Sequence, residues 1–328
     1  MSIYAVISHS SDIDGVASAS FLRIKYNIPL KNIFFSDYSV ESIESAYSEI
    51  KKLIRHGVLL FVADIGMNKK LVKSLKNMIV EINKWDGSVI WFDHHVWDRK
   101  DILEVANLCR IAAVGENSRY CATEITRKYL HLDTPFAKKL ARIVHYSDFN
   151  LKPKNKEYMN LIKIYALALT KYNMLPYKKR TDELREVVEV ISSGNFTNKK
   201  LENDAYLFER ENTERIKNML GDVLTIGRDI AVGFAYGVQS TQACQALIEK
   251  TGADIGMYVN PKNRKGHMRS IRADCSILAN ALGGGGHPHA SGFEVSKKYG
   301  KLDIKKNRNI FVKDVEKIAK ELYKHAIS

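Results

Sequence analysis

The chain has 328 residues, 45% of them hydrophobic, enough for two ordinary domains that each bury a core. No run of about 18 apolar residues occurs, which argues against a membrane span, and residues 1–9 read as a first β-strand rather than a basic cleavable leader. The four cysteines (Cys109, Cys121, Cys244, Cys275) form no CxxC pair, which argues against a disulfide framework or a thiolate zinc site and suits a reducing cytoplasm. A net charge of +14 favours a polyanionic partner, although dispersed pairs such as Lys51-Lys52 and Lys199-Lys200 also serve to solvate a surface.

In the first half, short apolar runs at 4–8, 33–36, 58–63 and 89–92 alternate with helical patterns at 16–26, 40–55 and 69–84. Continuous apolar runs belong to parallel strands buried on both faces, and their alternation with helices predicts a doubly wound α/β domain over 1–155. Helical patterns at 158–172, 182–192 and 201–220 follow, read as a helical connector over 156–222. Strand patterns return at 230–235, 255–259, 267–272 and 292–295, with helices at 241–250, 276–281 and 312–326. These predict a smaller C-terminal α/β domain over 223–328.

Three of the first-half strands run directly into acids or histidines: His9 to Asp14 after the first, Asp64 after the third, and Asp93-His94-His95 after the fourth. Ligands of open α/β sheets bind at the carboxyl ends of the strands, so one mouth should gather these side chains. Asp148, after a helical stretch, can join them. Carboxylates a few ångströms apart repel and raise one another's pKa; divalent cations relieve this, and oxygen donors mixed with imidazole suit manganese or magnesium. Two metals about 3.5–4 Å apart activate water and stabilise a leaving oxygen at phosphorus. Strand-end placement and residue type therefore point to phosphoester hydrolysis.

Asp12-x-Asp14-Gly15, Asp64, Asp93-His94-His95 and Asp148, in this order, resemble the four motifs of the DHH phosphoesterases. In the second half, the run from Gly283 to Phe293, with four glycines before His287, resembles the glycine-rich motif of the DHH-associated C-terminal domain. Ser270-Ile271-Arg272 resembles that domain's phosphate-contact strand. The resemblance spans the chain apart from the connector. It implies that His9 and Asp12 bind a first metal, that Asp14, His94 and Asp148 bind a second, and that Asp64 bridges them. Two serines separate His9 from Asp12, so His9 needs a locally adjusted loop to reach metal. Asp93 would orient the histidines, and His95 would face the scissile phosphate. Ser270, Arg272, His287 and the amides of Gly284, Gly285 and Gly286 would hold substrate phosphate.

The resemblance further implies two divalent cations, Mn2+ first with Mg2+ or Co2+ as alternatives, in a hydrolase acting on ester bonds. Its relatives include RecJ-like exonucleases, among them archaeal forms, nanoRNases that finish short oligonucleotides, and cyclic-dinucleotide phosphodiesterases acting on c-di-AMP or pApA. The compact two-domain form and positive charge favour an exonuclease on short oligonucleotides or single-stranded RNA or DNA. The rivals are the cyclic-dinucleotide enzyme and, in another class, a catalytically silent nucleic-acid-binding scaffold. No membrane partner is expected, and a homodimer or a protein-complex partner is compatible with the chain.

Overall fold

The computed structural model describes residues 3–54, 57–67, 71–114 and 119–322. The ends of the helices expected to reach residue 55, to start at 69 and to reach 326 lie outside the described residues. The chain divides into two compact units between Tyr206 and Leu207. The architecture is mixed α/β, with an all-parallel sheet in the first unit and a mixed sheet in the second.

The first unit runs β1 (Ile3–His9), α1 (Ile13–Tyr26), β2 (Ile33–Ser36), α2 (Val40–Ile54), β3 (Val58–Ala63), α3 (Val72–Lys84), β4 (Ser88–Asp93), α4 (Arg99–Val105) and β5 (Ile111–Val114). It continues with α5 (Ala122–Tyr129), α6 (Pro135–Asp148), α7 (Lys156–Asn173), α8 (Tyr177–Ser192) and the start of α9 (Lys199–Leu220). The strand order is β2-β1-β3-β4-β5, and every neighbouring pair is parallel. This order reverses direction between β1 and β3, the crevice where doubly wound sheets bind ligands. The sequence puts His9 and Asp64 at that position. β2, β3 and β4 are buried along nearly their whole length, which explains their continuous apolar runs.

The α1 helix is buried from Ile13 to Leu22, and its small residues Ala17, Ser18, Ala19 and Ser20 let neighbouring helices approach. Its N-terminus starts at the sheet mouth. A Cβ on Gly15 would lie 2.2 Å from the His9 carbonyl oxygen, and Ser8 Oγ donates to the Gly15 carbonyl at 2.7 Å. Glycine is therefore required where α1 crosses the end of β1. The α8 helix packs beside α1 and the β2 edge: Arg23 bonds Ser192 at 3.0 Å, and Arg185 donates to the carbonyls of Ile33 and Lys31. The stretch read as a connector thus lies within the first unit as far as Tyr206.

The second unit holds the end of α9, then β6 (Leu224–Ile226), β7 (Ile230–Phe234), α10 (Ser240–Thr251), β8 (Ile255–Val259), β9 (Lys265–Ser270), α11 (Cys275–Ala281), β10 (Gly285–His287), β11 (Ala290–Glu294) and α12 (Lys305–Leu322). The sheet order is β10-β11-β9-β8-β7-β6. Only β7 and β8 pair in parallel, as their connection through α10 requires. Side chains alternate across this sheet: Ile230, Val232 and Phe234 join one core with α11 and α12, while Ala231 joins another with α10. Three short strands, β5, β6 and β10, were too brief to stand out as sequence patterns. The strand expected over 267–272 stops at Ser270, because the Asp254 carboxylate takes the N–H groups of Arg272 and Ala273 and turns the chain. Among the described residues no helix is long and apolar enough to cross a membrane.

Gly15→Ala should destabilise the protein by about 1–3 kcal/mol, since the added methyl meets backbone and displaces the end of β1. A thermal melt of the variant checks this; an unchanged Tm would show that the crossing tolerates a Cβ.

Candidate metal centre

Asp12 is the N-cap of α1. Its Oδ1 accepts the N–H groups of Asp14 (3.1 Å) and Gly15 (3.4 Å), and its Oδ2 lies 3.1 Å from His9 Nδ1. This cap brings His9 and Asp12 together despite the two serines between them. Asp64 follows β3 in a left-handed conformation, φ 55°, a region where Asp is tolerated better than most residues. It is 2% exposed. Its two oxygens face different histidines: Oδ2 lies 3.3 Å from His9 Nδ1, and Oδ1 lies 3.7 Å from His94 Nε2. Around His94 Nε2 also stand Asp14 Oδ2 at 3.8 Å and Asp148 Oδ2 at 3.6 Å. Asp148 is the last residue of α6, which delivers it to the mouth.

Asp14 is held from across the fold. Its carboxylate accepts the first amides of α5, Ala122 N–H at 2.8 Å and Thr123 N–H at 2.7 Å, so the positive end of that helix faces the acid. Asp93 is fully buried and has both oxygens engaged. Oδ1 meets His95 Nδ1 at 2.7 Å, and Oδ2 accepts Trp97 Nε1–H at 2.7 Å. That is the geometry of an acceptor that fixes the His95 ring. At its other nitrogen, His95 Nε2 meets the Tyr38 hydroxyl at 3.1 Å.

The electrostatics follow from this crowding. Burial raises the pKa of Asp64 well above the usual carboxylate value, and the charges of Asp14, Asp12 and Asp148 add to it. Asp148 is raised well above it too, by burial and then by Asp14 and Asp12. Burial would lower the His95 pKa, but the Asp93 carboxylate outweighs it and lifts the value to about 9. Burial would raise Asp93, yet its His95 and Trp97 partners hold it below the usual carboxylate value.

These residues fit divalent cations. His9 Nδ1, Asp64 Oδ2 and Asp148 Oδ2 are buried and make no hydrogen bond. Two ligands at right angles on a small cation with bonds of about 2.1 Å lie roughly 3 Å apart, close to the spacing of His9 from Asp12 and Asp64. One donor atom each from His9, Asp12 and Asp64 falls within a 4.8 Å cluster, as does one each from Asp64, His94 and His95.

In the second unit, Ser270 Oγ lies 3.2 Å from His289 Nδ1 and donates to the Ala273 carbonyl at 2.5 Å. Arg272 does not share a strand face with Ser270: it lies in the turn beyond β9, its side chain 83% exposed and 3.3 Å from Asp254. The glycines are not an open loop of amides. Gly284 N–H closes the end of α11 on the Ala279 carbonyl at 2.8 Å, and Gly285 to His287 pair with β11 as the sheet edge. Glycine is needed for close approach, since a Cβ on Gly284 would stand 2.0 Å from the Gly292 carbonyl oxygen. The carbonyl of His287 accepts Ser291 Oγ at 2.7 Å.

Sequence reasoning missed Tyr38, Gly66 and the α5 amides. Tyr38 follows β2, whose carboxyl end opens on the same mouth; that placement was the available signal. A Cβ on Gly66 would meet His95 Cβ at 2.8 Å, so the Asp64-Ile65-Gly66 spacing makes room for His95.

Without metal, Asp64 and Asp148 keep protons that the unfolded chain releases above pH of roughly 4. The folded state then binds more protons than the unfolded one, so its stability falls as pH rises through their elevated pKa values. Cation binding reverses this. The Tm gain from Mn2+ over chelator should therefore be larger at pH 8 than at pH 5; a gain that shrinks with rising pH would contradict the arrangement.

No family model matches the sequence, and no curated protein does. Solved structures resemble the fold. An exopolyphosphatase-related protein from Bacteroides fragilis is 15% identical, covering 99% of this chain and 94% of its own, with a TM-score of 0.58. RecJ in complex with Mn2+ from Thermus thermophilus is 15% identical over 97% of this chain and 52% of its own, with a TM-score of 0.55. A pGpG-specific phosphodiesterase from Vibrio cholerae is 11% identical over 95% of this chain and 98% of its own, with a TM-score of 0.53. The chain shares its two-unit α/β fold with these structures.

Proposed function

We propose that the chain is a metal-dependent phosphodiesterase that releases mononucleotides from short oligonucleotides or single-stranded RNA or DNA. The observation that carries this reading is the Asp64 carboxylate, one oxygen turned to the His9–Asp12 pair and the other to His94 with Asp14 and Asp148. His9, Asp12 and Asp64 would hold one divalent cation. Asp64, Asp14, His94 and Asp148 would hold the second. When bound, cations there supply an acidified water and positive charge opposite the phosphoryl oxygens. The mixed oxygen and imidazole donors favour Mn2+, with Mg2+ or Co2+ as substitutes.

The protein's own groups do the rest. Asp93 fixes His95 through Nδ1, leaving Nε2 to donate a proton toward a phosphoryl or leaving oxygen. The Tyr38 hydroxyl partners Nε2 until substrate takes that position. In the second unit, Ser270, Arg272, His287 and the edge strand at Gly285 and Gly286, with Gly284 turning the chain into it, are the proposed grip on substrate phosphate. Arg272 would exchange its exposed contact with Asp254 for a phosphate.

The fold-sharing structures include a RecJ exonuclease and a pGpG-specific phosphodiesterase, so a linear or cyclic dinucleotide is the competing substrate. End-labelled dinucleotide, five-nucleotide RNA, long single-stranded RNA and DNA, and cyclic di-AMP should be digested side by side with Mn2+. Oligonucleotides should release mononucleotides, and Asp64→Asn should lose at least 1000-fold in rate. His95→Ala should lose about 100- to 10,000-fold in kcat. Strand binding with no metal-dependent cleavage of any substrate would replace this reading with a scaffold.

A further inference from the structure

A groove of about 500 Å3 lies between α5 and α6 in the first unit, lined by Arg127, Lys138, Arg142, His145 and Tyr146 with Glu124 as its one acid. That acid is already engaged: its Oε2 accepts the Cys121 N–H at 3.1 Å and holds His145 Nδ1 at 2.8 Å. Arg127 is partly committed to the α5–α6 turn through the Leu132 carbonyl and Asp133. Lys138 reaches Asp133 only at 3.7 Å, on an exposed surface where such a pair contributes little. Arg142 is exposed and has no ion pair among the described residues. The groove is therefore net basic with aromatic walls.

Its position follows from the helix. Lys138, Arg142, His145 and Phe149 recur at spacings of four, three and four residues, so they share one face of α6. Asp148 flanks that face at the sheet mouth. At 1.5 Å per residue, Arg142 stands about 9 Å and Lys138 about 15 Å along the axis from Asp148. Ring contacts link the groove wall to the mouth. His145 lies 4.7 Å from Phe149, which lies 6.1 Å from His94.

We propose that this groove carries the substrate strand away from the mouth, with Arg142 and Lys138 on successive phosphates beyond the scissile one and Tyr146 beneath a base. The occupant is a single-stranded oligonucleotide: cations in line with ring faces match a backbone with stacked bases, and a lone dinucleotide is too short to reach them. The proposal rests on the reading of the mouth as a phosphodiester-cleaving site. It adds that substrate length is sensed by the first unit.

The test compares wild type with the double variant Lys138→Glu, Arg142→Glu on a dinucleotide and a 12-nucleotide single strand. The dinucleotide rate should stay within twofold, which also reports an intact fold. The kcat/KM for the long strand should fall at least tenfold, and the log-log salt dependence of strand binding should lose about 1.4 from its slope. Equal loss on both substrates, or no loss on either, overturns the groove. If wild type cleaves neither, the functional reading fails and fluorescence anisotropy with the labelled 12-mer decides. Salt-sensitive binding weakened in the variant supports the groove, and equal affinity overturns it.

Discussion

Asp64 lies under the mouth of the parallel sheet, 2% exposed, with Asp12, Asp14, Asp93 and Asp148 all contributing to its electrostatic surroundings. An isolated buried carboxylate already resists ionising, and four more acids deepen the penalty. Much of the surrounding design manages that charge. The first amides of α5 point at Asp14, those of α1 at Asp12, and His95 and Trp97 satisfy Asp93. Asp64 and Asp148 each keep a buried oxygen with no hydrogen bond, and for these a cation is the natural counterpart.

The same constraint explains local features that would otherwise read as defects. Asp64 adopts a left-handed backbone, Gly15 crosses β1 with no room for a side chain, and Gly66 gives way to His95. Each costs backbone freedom or intrinsic stability, and each lies within a few residues of the acids. At this mouth they let the acids and histidines converge on the end of the parallel sheet. The α1 helix mediates between the two, since its buried body fixes the sheet and its first turn carries Asp12, Asp14 and Gly15.

Much of this was legible in the sequence. The strands β1, β3 and β4 are apolar along their length and end in His9, Asp64 and Asp93-His94-His95, so a parallel-sheet rule alone placed those groups at one mouth. Asp148 was harder, because only the fold brings the end of α6 to His94. The place of Tyr38 after β2 put it near the mouth, but its pairing with His95 was not legible, nor was that of the α5 N-terminus with Asp14, since 57 and 108 residues separate them and no periodicity links them. The strand expected to reach residue 272 ends at Ser270, where the Asp254 carboxylate takes the next amides, a long-range contact that no local pattern announces. The short edge strand β10 was hidden inside a run of glycines, a composition that reads as loop. The helices α7 and α8 look free-standing in sequence, yet Asn173 on α7 donates to the Ser10 carbonyl and Arg185 on α8 to the β2 edge.

In the proposed centre, the single Asp64 carboxylate would organise two cations. Electron paramagnetic resonance during a Mn2+ titration of the intact chain tests it most directly. Two manganese ions should bind per chain and give the spectrum of an exchange-coupled pair, with Asp64→Asn abolishing the coupling. A single uncoupled ion at saturation, or no bound manganese, would contradict it.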